Sequence, residues 1–154
     1  MFSVTLLLCK SGDLLLVTQS WGDDFATTLD EFERLRWDDV RSGEDLKPAL
    51  VRAIQRGEEN AGQPNGSDAD FLPYMTAVGA RSMEAFYSQL VAVAGLAPWT
   101  EDEWSCSSGQ ASKDNYELFS RVKIPTAASM SEIAEVVLSC LRAEAEPPKK
   151  ARKR

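Results

Sequence analysis

The sequence predicts an α/β protein of the α+β type: a single domain with a central, largely antiparallel sheet and helices packed on it. Three observations predict it. Residues 2–9 and 14–20 are apolar runs of strand length, broken by Lys10-Ser11-Gly12-Asp13, the pattern of a β-hairpin. Tyr116, Leu118, Val122 and Ile124 alternate with Glu117, Phe119, Arg121 and Lys123, the period of a half-buried strand. Ile133, Val136, Val137, Cys140 and Leu141 recur at the spacing of an amphipathic helix.

The hairpin organises the rest. Leu6-Leu7-Leu8 and Leu14-Leu15-Leu16-Val17 are apolar at consecutive positions, so both faces should be covered and the hairpin should lie centrally. Gly12 and the β-branched Val4, Thr5, Val17 and Thr18 favour strands over a Leu-rich helix.

Trp21-Gly22-Asp23-Asp24-Phe25 then reads as a loop holding two acids between aromatics. Thr28-Leu29-Asp30-Glu31 has capping-box spacing and predicts a short helix with Leu29, Phe32 and Leu35 on one side. Residues 23–45 hold nine acids against three arginines. The pairs Asp23-Asp24 and Asp38-Asp39 invite a metal, but adjacent side chains point apart on regular structure, and a solvated face is the simpler reading. Leu46, Leu50 and Ile54, with Ala49 and Ala53, mark the next helix. Ser42 or Asp45 caps it, Pro48 falls in its first turn, and Gly57 is placed to end it.

Residues 58–70 are almost free of apolar side chains and read as a flexible internal loop, after which Phe71-Leu72-Pro73-Tyr74 returns to the core. A helix over 82–90 carries Met83, Phe86, Tyr87 and Leu90 on one stripe, and a strand begins at Val91. Pro98-Trp99-Thr100-Glu101-Asp102-Glu103-Trp104 is a second loop in which tryptophans bracket acids. Residues 105–112 form a polar strand with at least one wet face. Ser129-Met130-Ser131-Glu132 is a second capping box, opening the last helix. There Cys140 is most simply a small core residue. Pro147-Pro148 stops that helix, so residues 1–146 make one domain and 147–154 a disordered basic tail.

Composition narrows the function. The chain of 154 residues has a net charge of -7, yet five of its 17 basic residues lie in 149–154. The remainder sets 12 basic residues against 24 acidic ones, a balance that repels nucleic acid and attracts basic surfaces. Solubility is the plainer explanation of that charge. With no histidine, the commonest general base and metal ligand are absent, and so is every Ser-His or Cys-His nucleophile pair. No cofactor is expected. Three widely spaced cysteines fit neither a disulfide framework nor a zinc site and point to a reduced, cytoplasmic compartment. No apolar run approaches the ~20 residues of a membrane helix, and no membrane partner is expected.

Two segments carry a family resemblance. Gly79-Ala80-Arg81-Ser82-Met83-Glu84-Ala85-Phe86-Tyr87 matches a recurring helix start. Val122-Lys123-Ile124-Pro125, followed by Ser129-Met130-Ser131-Glu132-Ile133, matches a strand-to-helix turn. In this order, after an apolar hairpin and the helix through Leu46, Leu50 and Ile54, they resemble the immunity proteins of bacterial contact-dependent growth inhibition systems, the CdiI family. The resemblance covers most of residues 2–143. It implies a non-enzymatic toxin inhibitor that blocks the carboxy-terminal toxin domain delivered by a neighbouring cell, often a nuclease. In some members a toxin hairpin adds to the immunity protein's sheet.

A basic nuclease surface suits an acidic partner, and tryptophans beside acids suit the centre of a tight interface. The toxin-binding candidates are therefore Trp21, Asp23 and Asp24 in the first loop and Trp99, Glu101, Asp102, Glu103 and Trp104 in the second. For each tryptophan a core position is the other reading. An exposed sheet edge also allows a homodimer. Two other functions stay open: an adaptor touching nucleic acid or nucleoprotein through the tail, and a carboxylate-dependent enzyme with no preformed constellation.

Overall fold

β1 (Phe2–Cys9) and β2 (Asp13–Trp21) form the expected hairpin, in register from Phe2 opposite Ser20 to Leu8 opposite Leu14. Gly12 makes the turn at φ +93°, a conformation open to glycine and strained for other residues. The computed structural model describes residues 1–21, 26–60, 73–111 and 116–145. Residues 61–70 of the loop expected over 58–70, Phe71 and Leu72 after it, the centre of the first aromatic-acid loop and the basic tail lie outside them.

β3 (Ala26–Arg36) runs antiparallel to β2, where the sequence predicts a helix. The correction has a simple cause. Leu29, Phe32 and Leu35 are spaced by three, which lines one side of a helix but alternates faces on a strand. Leu35 packs on one core and Phe32 on the other. A sheet covered on both faces produces that pattern without any helix.

After a 3-10 turn at Trp37–Asp39 comes α1 (Gly43–Glu59). Ser42 and Asp45 act together at its start: the Asp45 carboxylate accepts the backbone N–H of Ser42 at 3.2 Å and of Arg41 at 2.9 Å. Pro48 sits in the second turn, not the first. The helix also runs on through Gly57, which packs under the Phe2 ring, and takes in Glu58 and Glu59 from the predicted loop. Then follow α2 (Pro73–Ala77), α3 (Met83–Ser88), β4 (Leu90–Pro98), β5 (Glu103–Ala111), β6 (Tyr116–Pro125) and α4 (Met130–Ala145). Leu90 thus opens a strand instead of closing a helix. At the start of α4, Glu132 N–H donates to Ser129 Oγ at 3.1 Å, and Ser129 N–H reaches Glu132 Oε1 at 3.5 Å, the second capping box.

The six strands form one antiparallel sheet in the order β3-β2-β1-β4-β5-β6. Helices α1 and α4 cover one face over Leu6, Leu14, Leu16, Ala94, Leu96 and Cys106. The other face buries Leu7, Leu15, Val17 and Val93 with Tyr74 and Met75 of α2 and Phe86 of α3. Each buried Leu contributes ~1.5–3 kcal/mol relative to exposure, which makes the twice-covered hairpin the main source of stability. Two of its polar side chains bond to α1 and its C-cap: Thr18 Oγ1 donates to the Ala53 carbonyl at 2.9 Å, and Ser20 Oγ to that of Asn60 at 2.6 Å.

β5 is the expected polar strand: Ser105 and Ser107 line an open groove on one face, while Ser108 is buried on the other. β6 departs from expectation: expected to be half-buried, it buries only Ile124.

Candidate protein-interaction site

The cause of the β6 exposure is a one-residue irregularity. Ser120 lies opposite Ser108, but the next paired residue, Leu118, lies opposite Gly109, so Phe119 has no counterpart on β5. The extra residue inverts the alternation. Tyr116 and Leu118 face the α2/α3 side of the sheet, whereas Val122 and Ile124 face the α1/α4 side, opposite Cys106 and Trp104. The apolar set read from the sequence as one face is split between two.

Most of the large exposed apolar side chains gather here. Phe119 is 74% exposed, Val122 41% and Leu118 38%, and Trp99 of the neighbouring β4–β5 turn is 51% exposed. Among the described residues no strand pairs with the outer edge of β6. The opposite edge contrasts with it. β3 carries Asp30, Glu31, Glu33, Arg34 and Arg36, the charged dressing that protects a sheet edge from pairing. Three of these charges are also engaged: Arg34 and Arg36 reach Asp13 at 3.1 and 3.3 Å, and Arg52 and Arg56 of α1 reach Glu33 at 2.8 and 2.6 Å.

On the α2/α3 side a groove of about 390 Å³ runs beside β6, lined by Thr5, Ser107, Tyr116, Leu118, Trp99 and Arg121 among others. The Arg121 guanidinium lies over the Trp99 ring, 4.8 Å from its centroid, which holds the indole at the groove mouth. Burial pushes the Tyr116 phenol above its ordinary range, so it stays neutral in the groove wall.

The β4–β5 turn is pinned through its backbone. Trp99 and Thr100 N–H donate to the Glu103 carbonyl at 2.9 and 3.1 Å, and Thr126 N–H donates to the Asp102 carbonyl at 2.8 Å. The side chains of Glu101 and Asp102 are left exposed, and Glu103 is half-buried. Trp104 departs from the interface expectation. It points to the α1/α4 side, packs on the core and meets Phe2 edge-on at 6.2 Å between ring centroids. The second loop is therefore divided, with Trp99, Glu101 and Asp102 facing solvent and Trp104 serving the core.

Of the first loop, Trp21 ends β2, and Asp23 and Asp24 lie outside the described residues. The register places Trp21 at the same end of the sheet as Pro98 and Trp99, since Phe2 lies opposite Ser20 and Val4 opposite Leu96. β2 and β4 flank β1, so their ends stand ~10 Å apart. The topology thus brings Trp21 to the same end as the second aromatic-acid segment.

Sequence reasoning missed Leu118, Phe119, Arg121 and Val122 as site residues. The signal for them is Gly109 on the neighbouring strand, opposite the irregularity, and the succession of β6 by a helix, which leaves its edge without a following strand.

Among the described residues, no three of His, Cys, Asp and Glu converge to hold a metal ion, and no helix is long and apolar enough to cross a membrane. No protein-family model, curated protein or solved structure matches the chain. The chain is a single α+β domain, and its edge strand β6 exposes Leu118, Phe119 and Val122 among the charged Glu117, Arg121 and Lys123, with no further strand paired to it among the described residues.

Proposed function

We propose that this protein is an immunity protein. It binds and neutralises the toxin domain of a contact-dependent growth inhibition system in the bacterial cytoplasm, and the toxin is a basic nuclease. The observation that carries the reading is the open edge of β6, with Phe119, Val122 and Leu118 on it and Trp99 beside it. An extended segment of the toxin adds to this edge through backbone hydrogen bonds, while apolar side chains enter the groove over Leu118 and Trp99. Arg121 and Lys123 on β6 give the edge itself a positive character. The attraction for a basic partner therefore comes from Glu101 and Asp102 and from the acids of β3 and the turn before α1, which steer approach more than they build the contact.

The test is co-expression with the variable carboxy-terminal domain of a large secreted protein encoded by the neighbouring gene. The expected outcome is growth rescue and a one-to-one complex that survives deletion of residues 149–154. Rescue that depends on those residues moves the function to the tail. A stable homodimer that buries β6 and binds no toxin removes the reading.

A further inference from the structure

Cys106 of β5 and Cys140 of α4 pack into the same core on one side of the sheet. Cys106 is fully buried on the helix-covered side of β5, opposite Leu96 and Val122. Cys140 is half-buried and packs on the same core. A neighbouring pair shows how helix and strand are aligned, because Ser108 Oγ donates to Glu144 Oε2 at 3.2 Å. Glu144 lies four residues past Cys140, and Ser108 two past Cys106. Four helical residues rise ~6 Å and two strand residues ~6.7 Å. The stripe on α4 and the row on β5 therefore stay in step, and the thiols face each other as Ser108 faces Glu144.

The contact sets their protonation. The Cys106 thiol, pushed up by the hydrogen bond to Cys140 and by burial, keeps its proton and donates it. Cys106 in turn holds the Cys140 thiol below its ordinary range, against burial and the nearby Glu144. Cys140 itself is partly exposed, and one turn before it Val136 lines a groove of about 400 Å³ with Ile124 and Pro125. Cys9 offers an internal comparison, since burial, with Asp13 nearby, pushes its thiol up to about 11.

The structure assigns Cys106 and Cys140 as a peroxide-sensitive dithiol, with Cys140 the attacking thiol and Cys106 the resolving one. The Cys140 thiolate attacks one oxygen of hydrogen peroxide, the O–O bond breaks, and the departing hydroxide takes a proton to become water. Cys140 is left as a sulfenic acid. The Cys106 sulfur then attacks the Cys140 sulfur. The S–O bond breaks, the hydroxyl leaves with the Cys106 proton as a second water, and the disulfide forms. Two electrons pass from the sulfurs to the peroxide. The product staples α4 to the sheet, beside the edge strand.

The full chain, reduced and then treated with stoichiometric hydrogen peroxide, is expected to lose two hydrogen atoms in mass and remain monomeric. A peptide map should join Cys106 to Cys140 and leave Cys9 free. The melting temperature should rise by roughly 5–10 °C and return on reduction. Cys106→Ala, which keeps a small apolar side chain in the core, should accumulate a dimedone-reactive sulfenic acid on Cys140, and Cys140→Ser should abolish the reaction. Oxidation of Cys9 before the pair, a disulfide between molecules, or over-oxidation of Cys140 with Cys106 still reduced would each overturn the assignment.

Discussion

Gly109 on β5 lies directly against the carbonyl group of Glu117 on β6. A Cβ built at Gly109 would overlap the Glu117 oxygen and stand 2.8 Å from its carbonyl carbon and 3.1 Å from the Leu118 Cα. All three are backbone atoms, which cannot rotate away, so the irregularity at Phe119 exists only because position 109 has no side chain. Gly109→Ala should destabilise the protein by ~2–4 kcal/mol, read as a lower urea midpoint. A midpoint equal to that of the unsubstituted chain would show that β6 does not pair with β5 in this register.

Solvent exposure separates the two tryptophans of the second loop. Trp104→Ala should cost ~3 kcal/mol through lost packing on Phe2 and the core, whereas Trp99→Ala should change stability by under about 0.5 kcal/mol. Binding of the proposed toxin partner should reverse the order, weakened more by Trp99→Ala than the stability change explains. The comparison requires only thermal melts and a titration.

The open edge makes the same kind of prediction. Phe119→Asp combined with Val122→Asp alters two exposed side chains and should leave the fold intact by circular dichroism. It should weaken the toxin complex at least 100-fold, the scale of losing a central apolar anchor. Unchanged affinity in a folded double variant would exclude β6 as the contact.

Charge at the turn should act on rate. Reversing Glu101 and Asp102 to Lys should slow association ~10-fold at low salt, and the difference should shrink at 0.5 M salt, where screening is complete within a few ångströms. The dissociation rate should hardly move. A purely dissociative effect would place these side chains inside the contact.

Acid should loosen the β3 edge. Hydrogen bonding from Arg34, with further help from Ser11 and Arg36, holds the Asp13 carboxyl below its ordinary range. Burial raises Glu33, but hydrogen bonds from Arg52 and Arg56 outweigh it, and the net shift is also downward. A carboxylate depressed in the folded state contributes stability above its unfolded value, and that stability is lost as pH falls through the folded one. The urea midpoint should therefore hold from pH 7 to about pH 5 and fall below pH 4. Asp13→Asn should flatten part of that fall.

The elements legible in the sequence are those whose determinants are local. The β1–β2 hairpin has both strands and its turn within twenty residues, and α1 and α4 carry period and cap together in Ser42–Asp45 and Ser129–Glu132. β3 was not legible because spacing by three serves a one-sided helix and a two-sided strand equally, and only the presence of α1 and α2 on opposite faces decides between them. The site was half legible. Trp99, Glu101 and Asp102 stand exposed as the sequence suggests, but the assignment of Trp104 to the core depends on register. Phe119 and Val122 depend on a glycine in another strand, a distance at which no periodicity within β6 can report.

The central place of β1 has a consequence for how the chain is made. β1, β2 and β3 form a local meander that can assemble as soon as it leaves the ribosome. One long side of β1, with its run of leucines, must nevertheless wait for β4, about 80 residues later in synthesis. At a typical translation rate that side stays bare for roughly 4–16 s. The nascent meander is thus an intermediate with a temporary sticky edge, a natural client for a chaperone until Leu90–Pro98 closes over it.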